Sequence, residues 1–185
     1  LLAELQPMDS TQLVLTAFPL VYARPPTTSE LEALTTVTDQ ENGLSLLFDA
    51  IDQSLSATAN QKTGATQIID TMAFESMGLT LNPIELESFV SMQAQESESW
   101  GHFTASIILE FANSEPWSSR TAAYTYFFDQ LDDSEKSELF ETQTLAEVVS
   151  DAVNAIQTVD DLEIVKTRLD SIIERLNGDG LTGIV

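Results

Sequence analysis

Leu44-Ser45-Leu46-Leu47-Phe48-Asp49-Ala50-Ile51-Asp52-Gln53-Ser54-Leu55 is the stretch that decides the fold class. Leu44, Leu47, Phe48, Ile51 and Leu55 recur at three- and four-residue spacing, which lines them up on one side of an α-helix. Asn42-Gly43 breaks the chain just before it, and the Ser/Thr/Ala/Asn run from Ser54 to Gly64 reads as a helix end and loop.

The same period recurs on both sides. Upstream, Leu13, Ala17, Leu20 and Val21 predict a helix that ends near Arg24-Pro25-Pro26, because two prolines cannot continue it. Leu31, Leu34 and Val37 mark a short second helix. Downstream, a helix from about Gln67 to Met77 stops at Gly78. Asn82-Pro83-Ile84-Glu85 then opens another, with Asn at N-cap, Pro at the first turn and Glu at N3. It carries Leu86, Phe89, Val90 and Met92. Phe103, Ile107, Ile108 and Phe111 predict the next helix, and Asn113-Ser114-Glu115-Pro116 starts one with Trp117, Tyr124, Phe127, Phe128 and Leu131. Two more span about Thr144 to Gln157 and Asp160 to Leu176, with Thr144/Glu147 and Asp160/Glu163 as expected capping boxes. No β-branched alternation suggests strands. The expectation is an all-α bundle of eight to ten short helices, read as units 1–57, 58–141 and 142–185 within one compact domain.

One pattern repeats. Thr27-x-x-Glu30-Leu31-Glu32-x-Leu34 superimposes on Asn82-x-x-Glu85-Leu86-Glu87-x-Phe89 at an offset of 55 residues. A helix–turn–capped-helix unit used twice is one reading; chance alignment of two common capping boxes is the other.

Charge narrows the function. The 185 residues carry 30 Asp and Glu against 7 Lys and Arg, a net −23, and none of the seven lies between Lys62 and Arg120. Phosphate backbones are bound through Lys and Arg, so this composition argues against nucleic acid, and equally against anionic lipid head groups. It favours solubility and attraction of divalent cations, though adaptation to salty surroundings gives the same balance. Without cysteine there are no disulfides, thiolate metal sites or Cys nucleophiles. No apolar run is long enough to span a bilayer. The opening Leu1 to Gln6 shows no secretory leader.

Catalytic motifs are missing. His102 is the only histidine, and neither a nucleophile elbow nor a glycine-rich nucleotide loop occurs. A carboxylate pair for glycoside hydrolysis could be drawn, but 30 carboxylates make pairs by chance. A non-catalytic protein is expected.

Trp100, His102, Trp117 and Tyr126 are the candidate glycan-binding side chains, because aromatic faces stack on sugar rings; Trp100 sits at a polar junction. The competing reading is core, and Tyr124, Phe127, Phe128 and Leu131 fit that spacing. Asp129, Asp132 and Asp133, or Glu96 and Glu98, could hold calcium through hard oxygens, although no EF-hand spacing occurs. Leu162, Val165, Leu169, Ile172 and Leu176 form a 3-4-3-4 seam that could meet a second subunit or pack within the chain.

Two resemblances sharpen the expectation. Val21-Tyr22-Ala23-Arg24-Pro25-Pro26-Thr27-Thr28-Ser29-Glu30-Leu31 resembles the repeat of the DUF4214 family of bacterial secreted proteins. It keeps the Arg, the second Pro and the Leu; Thr27 stands where that family has Asp, and Glu30 where it has Gly. Ser10-Thr11-Gln12-Leu13-Val14 followed by consecutive helices resembles the N-terminal anchoring domain of RsaA-type surface-layer proteins. That resemblance implies lipopolysaccharide binding, a calcium-bound lattice, self-assembly and type I secretion to the bacterial cell surface. Asn177-Gly178-Asp179-Gly180-Leu181-Thr182-Gly183 resembles part of a calcium nonapeptide repeat, which adds Asp179 to the expected calcium ligands; a glycine-capped tail is the alternative. The rival function is an acidic helical adaptor or virion component with no glycan role.

Overall fold

The computed structural model describes residues 1–60, 64–95, 99–132 and 140–176, with backbone alone at Asn60 and Asp132. After a 3₁₀ turn at Leu2–Leu5 come α1 (Ser10–Tyr22), α2 (Thr28–Thr38), α3 (Gly43–Asn60) and α4 (Ala65–Thr71). A π-helical turn, Met72–Met77, extends α4. Then follow α5 (Pro83–Gln95), α6 (Trp100–Phe111), α7 (Trp117–Asp132), α8 (Gln143–Asn154) and α9 (Asp161–Arg175). Among the described residues there is no strand, so the all-α bundle stands. No described helix is long and apolar enough to cross a membrane.

α1 is the axis of the molecule. Every residue from Leu13 to Leu20 is buried, as expected of a helix that is apolar on all sides. Asp9 caps it, its Oδ1 accepting from the Gln12 N–H at 3.1 Å. Leu13, Ala17 and Leu20 join a first core cluster with Phe48, Ile51, Ile69, Phe103 and Ile107. Leu15 instead joins a second cluster built from α7, α8 and α9. There Phe127, Phe128 and Phe140 pack edge to face, with ring centroids 4.9 to 5.6 Å apart.

α3 lies along α6. The contact is close because Gly101 has no side chain: a Cβ there would sit 2.3 Å from the Phe48 carbonyl oxygen. This packing crosses the boundary expected at residue 57. α3 also runs to Asn60, past the loop expected from Ser54. Leu55 is buried and Ala59 packs on the core, which holds the weak helix formers in place.

Both expected capping boxes of the repeat are formed. Thr27 Oγ1 accepts from the Glu30 N–H, and Glu30 Oε1 accepts from the Thr27 N–H. Asn82 Oδ1 accepts from the Glu85 N–H, and Glu85 Oε2 from the Asn82 N–H. The other two caps differ from expectation. Thr142, not Thr144, caps α8 by accepting from the Leu145 N–H. Asp160 makes no side-chain cap; Asp161 Oδ2 accepts from the Gln157 and Thr158 N–H groups. In both places the chain's path into the helix chose between two capable neighbours.

The seam read on α9 packs within the chain. Val165, Leu169 and Leu176 are buried in the second cluster, and Leu162 and Ile172 pack against it. α9 needs no second copy to cover this face.

Candidate functional site

α7 is two-sided. Tyr124, Phe127, Phe128 and Leu131 point into the second cluster. Its other flank carries Thr121, Thr125, Tyr126 and Asp129, and this flank faces the start of α1 across an open groove of about 730 Å³. Asp9, Thr11, Gln12 and Thr16 form the α1 wall, Asn113 and Ser118 close one end, and Lys166 of α9 borders Tyr126.

Tyr126 is the fixed point of the groove. It is half-buried, and its hydroxyl donates to Asp170 Oδ1 at 2.8 Å. That bond to a carboxylate, with some burial, raises its pKa above the ordinary phenol value. Lys166 Nζ lies 5.2 Å from the ring centroid and pairs with Glu163 at 2.8 Å. Tyr126 therefore stays neutral at ordinary pH, with its ring held at both ends. The groove offers carboxylate acceptors, hydroxyls and amides that both donate and accept, and one aromatic edge. This is hydrogen-bonding chemistry suited to a polyhydroxylated ligand.

The other expected glycan residues are elsewhere. Trp100 is 3% exposed and Trp117 2% exposed, so both are core. Trp100 stacks edge to face on Phe103. The polar run before it suggested exposure, but the ring is buried in the first core cluster. His102 is exposed on the first turn of α6, outside the groove. Of the expected calcium ligands, Asp129 is exposed on the groove wall. Asp133, Asp179, Glu96, Glu98 and the side chain of Asp132 lie outside the described residues. Among the described residues no three carboxylate or histidine groups cluster as a metal site would require.

Two arginines matter that sequence reading did not single out for their packing. Arg24 is buried, forks onto both Glu30 oxygens at 2.9 and 3.1 Å, and lies over the Phe18 ring. Burial alone would raise the Glu30 pKa, but the bonds from Arg24 and from the Thr27 N–H outweigh it and lower it. Arg120 is buried too. It donates to the carbonyls of Glu75, Asn154 and Ile156 at 2.9 to 3.2 Å. The π-helical turn and α8 both end at this guanidinium, where helix dipoles favour a cation. A signal for it existed: Trp117, Arg120, Tyr124, Phe127 and Leu131 share one helical face, so a charge stands in an apolar stripe.

No family profile, curated protein or solved structure matches this chain.

Proposed function

We propose that the chain is a non-catalytic structural protein of the bacterial cell surface that anchors to glycan through the groove between α1, α7 and α9. The observation that carries this reading is the groove's lining: carboxylates, hydroxyls and amides arranged around the fixed Tyr126 ring. Sugar hydroxyls donate to carboxylates and exchange hydrogen bonds with Thr, Ser and Asn, and the neutral sugar units of a glycan are not repelled by the −23 field. The groove is open to solvent, which suits a polymer better than a sequestered small substrate. Export, self-assembly and calcium assistance belong to the same proposal and rest on the surface-layer resemblance and the acidic composition.

The test is binding of purified surface polysaccharide to the native chain and to Asp129→Asn and Tyr126→Phe, with and without EDTA. The reading expects measurable binding that both substitutions weaken, and release by EDTA if calcium bridges. Binding to no polysaccharide, with capture by an intracellular or virion assembly instead, would favour the adaptor reading.

A further inference from the structure

Seven Lys and Arg residues stand against 30 acids, so a cation that meets no carboxylate stands out. Arg24 pairs with Glu30 and Lys166 with Glu163. Arg120 is sunk among carbonyls. Lys62 and Lys136 lie outside the described residues. Arg168 and Arg175 remain, and among the described residues neither takes part in an ion pair.

Within α9 their register keeps them apart from acids. Partners along a helix sit three or four residues away. Around Arg168 those positions are Ile164, Val165, Ser171 and Ile172; before Arg175 they are Ser171 and Ile172. Lys166, by contrast, has Glu163 and Asp170 at those distances. Arg168, Ser171 and Arg175 are all exposed and line one open groove of about 480 Å³ between α8 and α9. The two arginines are about 10 Å apart along the helix axis, so two long side chains can converge on one group above Ser171. The groove's other wall is Val148, Ala152 and one acid, Asp151.

We propose that Arg168 and Arg175 form an oxyanion site in this groove, taking a phosphate or carboxylate substituent of the anchoring glycan. Two guanidinium forks match the paired oxygens of either group; the small Ser171 side chain between them donates its hydroxyl to the Thr167 carbonyl at 3.2 Å, so the arginines are the donors to the oxyanion. Asp151 opposes binding from the far wall. The inference deepens the glycan-anchoring reading, but it uses a different groove and different residues, so the two fail separately.

The test titrates the full chain with inorganic phosphate and with a phosphorylated mannan oligosaccharide, beside the same oligosaccharide after phosphatase treatment. Guanidinium Nε–H resonances of Arg168 and Arg175 should shift and saturate in both anionic titrations. The phosphorylated oligosaccharide should bind at least about tenfold more tightly than the treated one. R168A/R175A should erase that difference while leaving the circular-dichroism spectrum unchanged, R168K/R175K should restore part of it, and D151N should enlarge it. Equal binding of the two oligosaccharides, or a difference that survives R168A/R175A, overturns the proposal. Shifts with free phosphate alone overturn the glycan source. Self-association in the ultracentrifuge that R168A/R175A abolishes assigns the arginines to carboxylates of a second copy instead. Loss of neutral-oligosaccharide binding in Asp129→Asn, with the phosphate difference intact, separates this site from the α1/α7/α9 groove.

Discussion

Ala23 and Gly78 stand 55 residues apart and hold the same left-handed backbone, at φ 54° and 72°. Each ends one helix of the repeated unit just before the capped start of the next. An alanine there carries a cost that glycine does not. Ala23→Gly should therefore stabilise the protein by up to about 1 kcal/mol, read as a higher urea midpoint at unchanged slope. Gly78→Ala should destabilise it, and by more, because its Cβ would meet Pro116 Cγ at 2.5 Å and Arg120 Cζ at 2.8 Å. Equal effects at the two positions would contradict the geometry.

Arg120→Met should lower stability by about 3 kcal/mol, since it leaves several buried carbonyls without a donor. Urea unfolding monitored by circular dichroism measures this. Arg120→Lys should recover only part of the loss, because one ammonium cannot reach acceptors spread over the π-helical turn and α8.

Gly101→Ala should cost about 2 kcal/mol by forcing α6 away from α3. The obstacle is the Phe48 backbone, which has no rotamer to escape into. A melting temperature within error of the native chain would rule out the described contact between these helices.

Glu30 sets an acid dependence. Its pKa is lowered in the folded state, so its contribution is complete above the ordinary carboxylate value of 4.5 and is lost as pH falls through the folded value. Unfolding free energy measured from pH 6 downward should fall less steeply in Glu30→Gln than in the native chain. Matching slopes would show that the Arg24 pair contributes nothing to acid sensitivity.

Trp100 and Trp117 are buried, so tryptophan emission should be blue-shifted and resist acrylamide quenching. It should also stay unchanged when glycan binds. A glycan-dependent red shift would mean that one of these rings reaches the surface.

The helices were legible because their apolar residues keep one period and because Thr27/Glu30 and Asn82/Glu85 announce starts locally. What failed was decided at a distance. The end of α3 looked like a loop by composition, yet packing beneath Leu55 and Ala59 extends it. Trp100 looked exposed beside polar neighbours, yet it is buried in a core cluster that also holds Phe48 and Ile51, some fifty residues earlier. Asp129 and Tyr126 were named from sequence. Their joining with Asp9, Asn113 and Lys166 was not, because only the topology brings α1, α7 and α9 together.

The elbow between α1 and α2 is tied to the last third of the chain. The Thr28 N–H donates to the Phe140 carbonyl at 3.1 Å, the Ser29 N–H to Glu141 Oε1, and Ser150 Oγ to the Ala23 carbonyl. A growing polypeptide on the ribosome cannot make these bonds until α8 has left the exit tunnel. α1 and α2 must therefore wait, partly assembled, until α8 has been made.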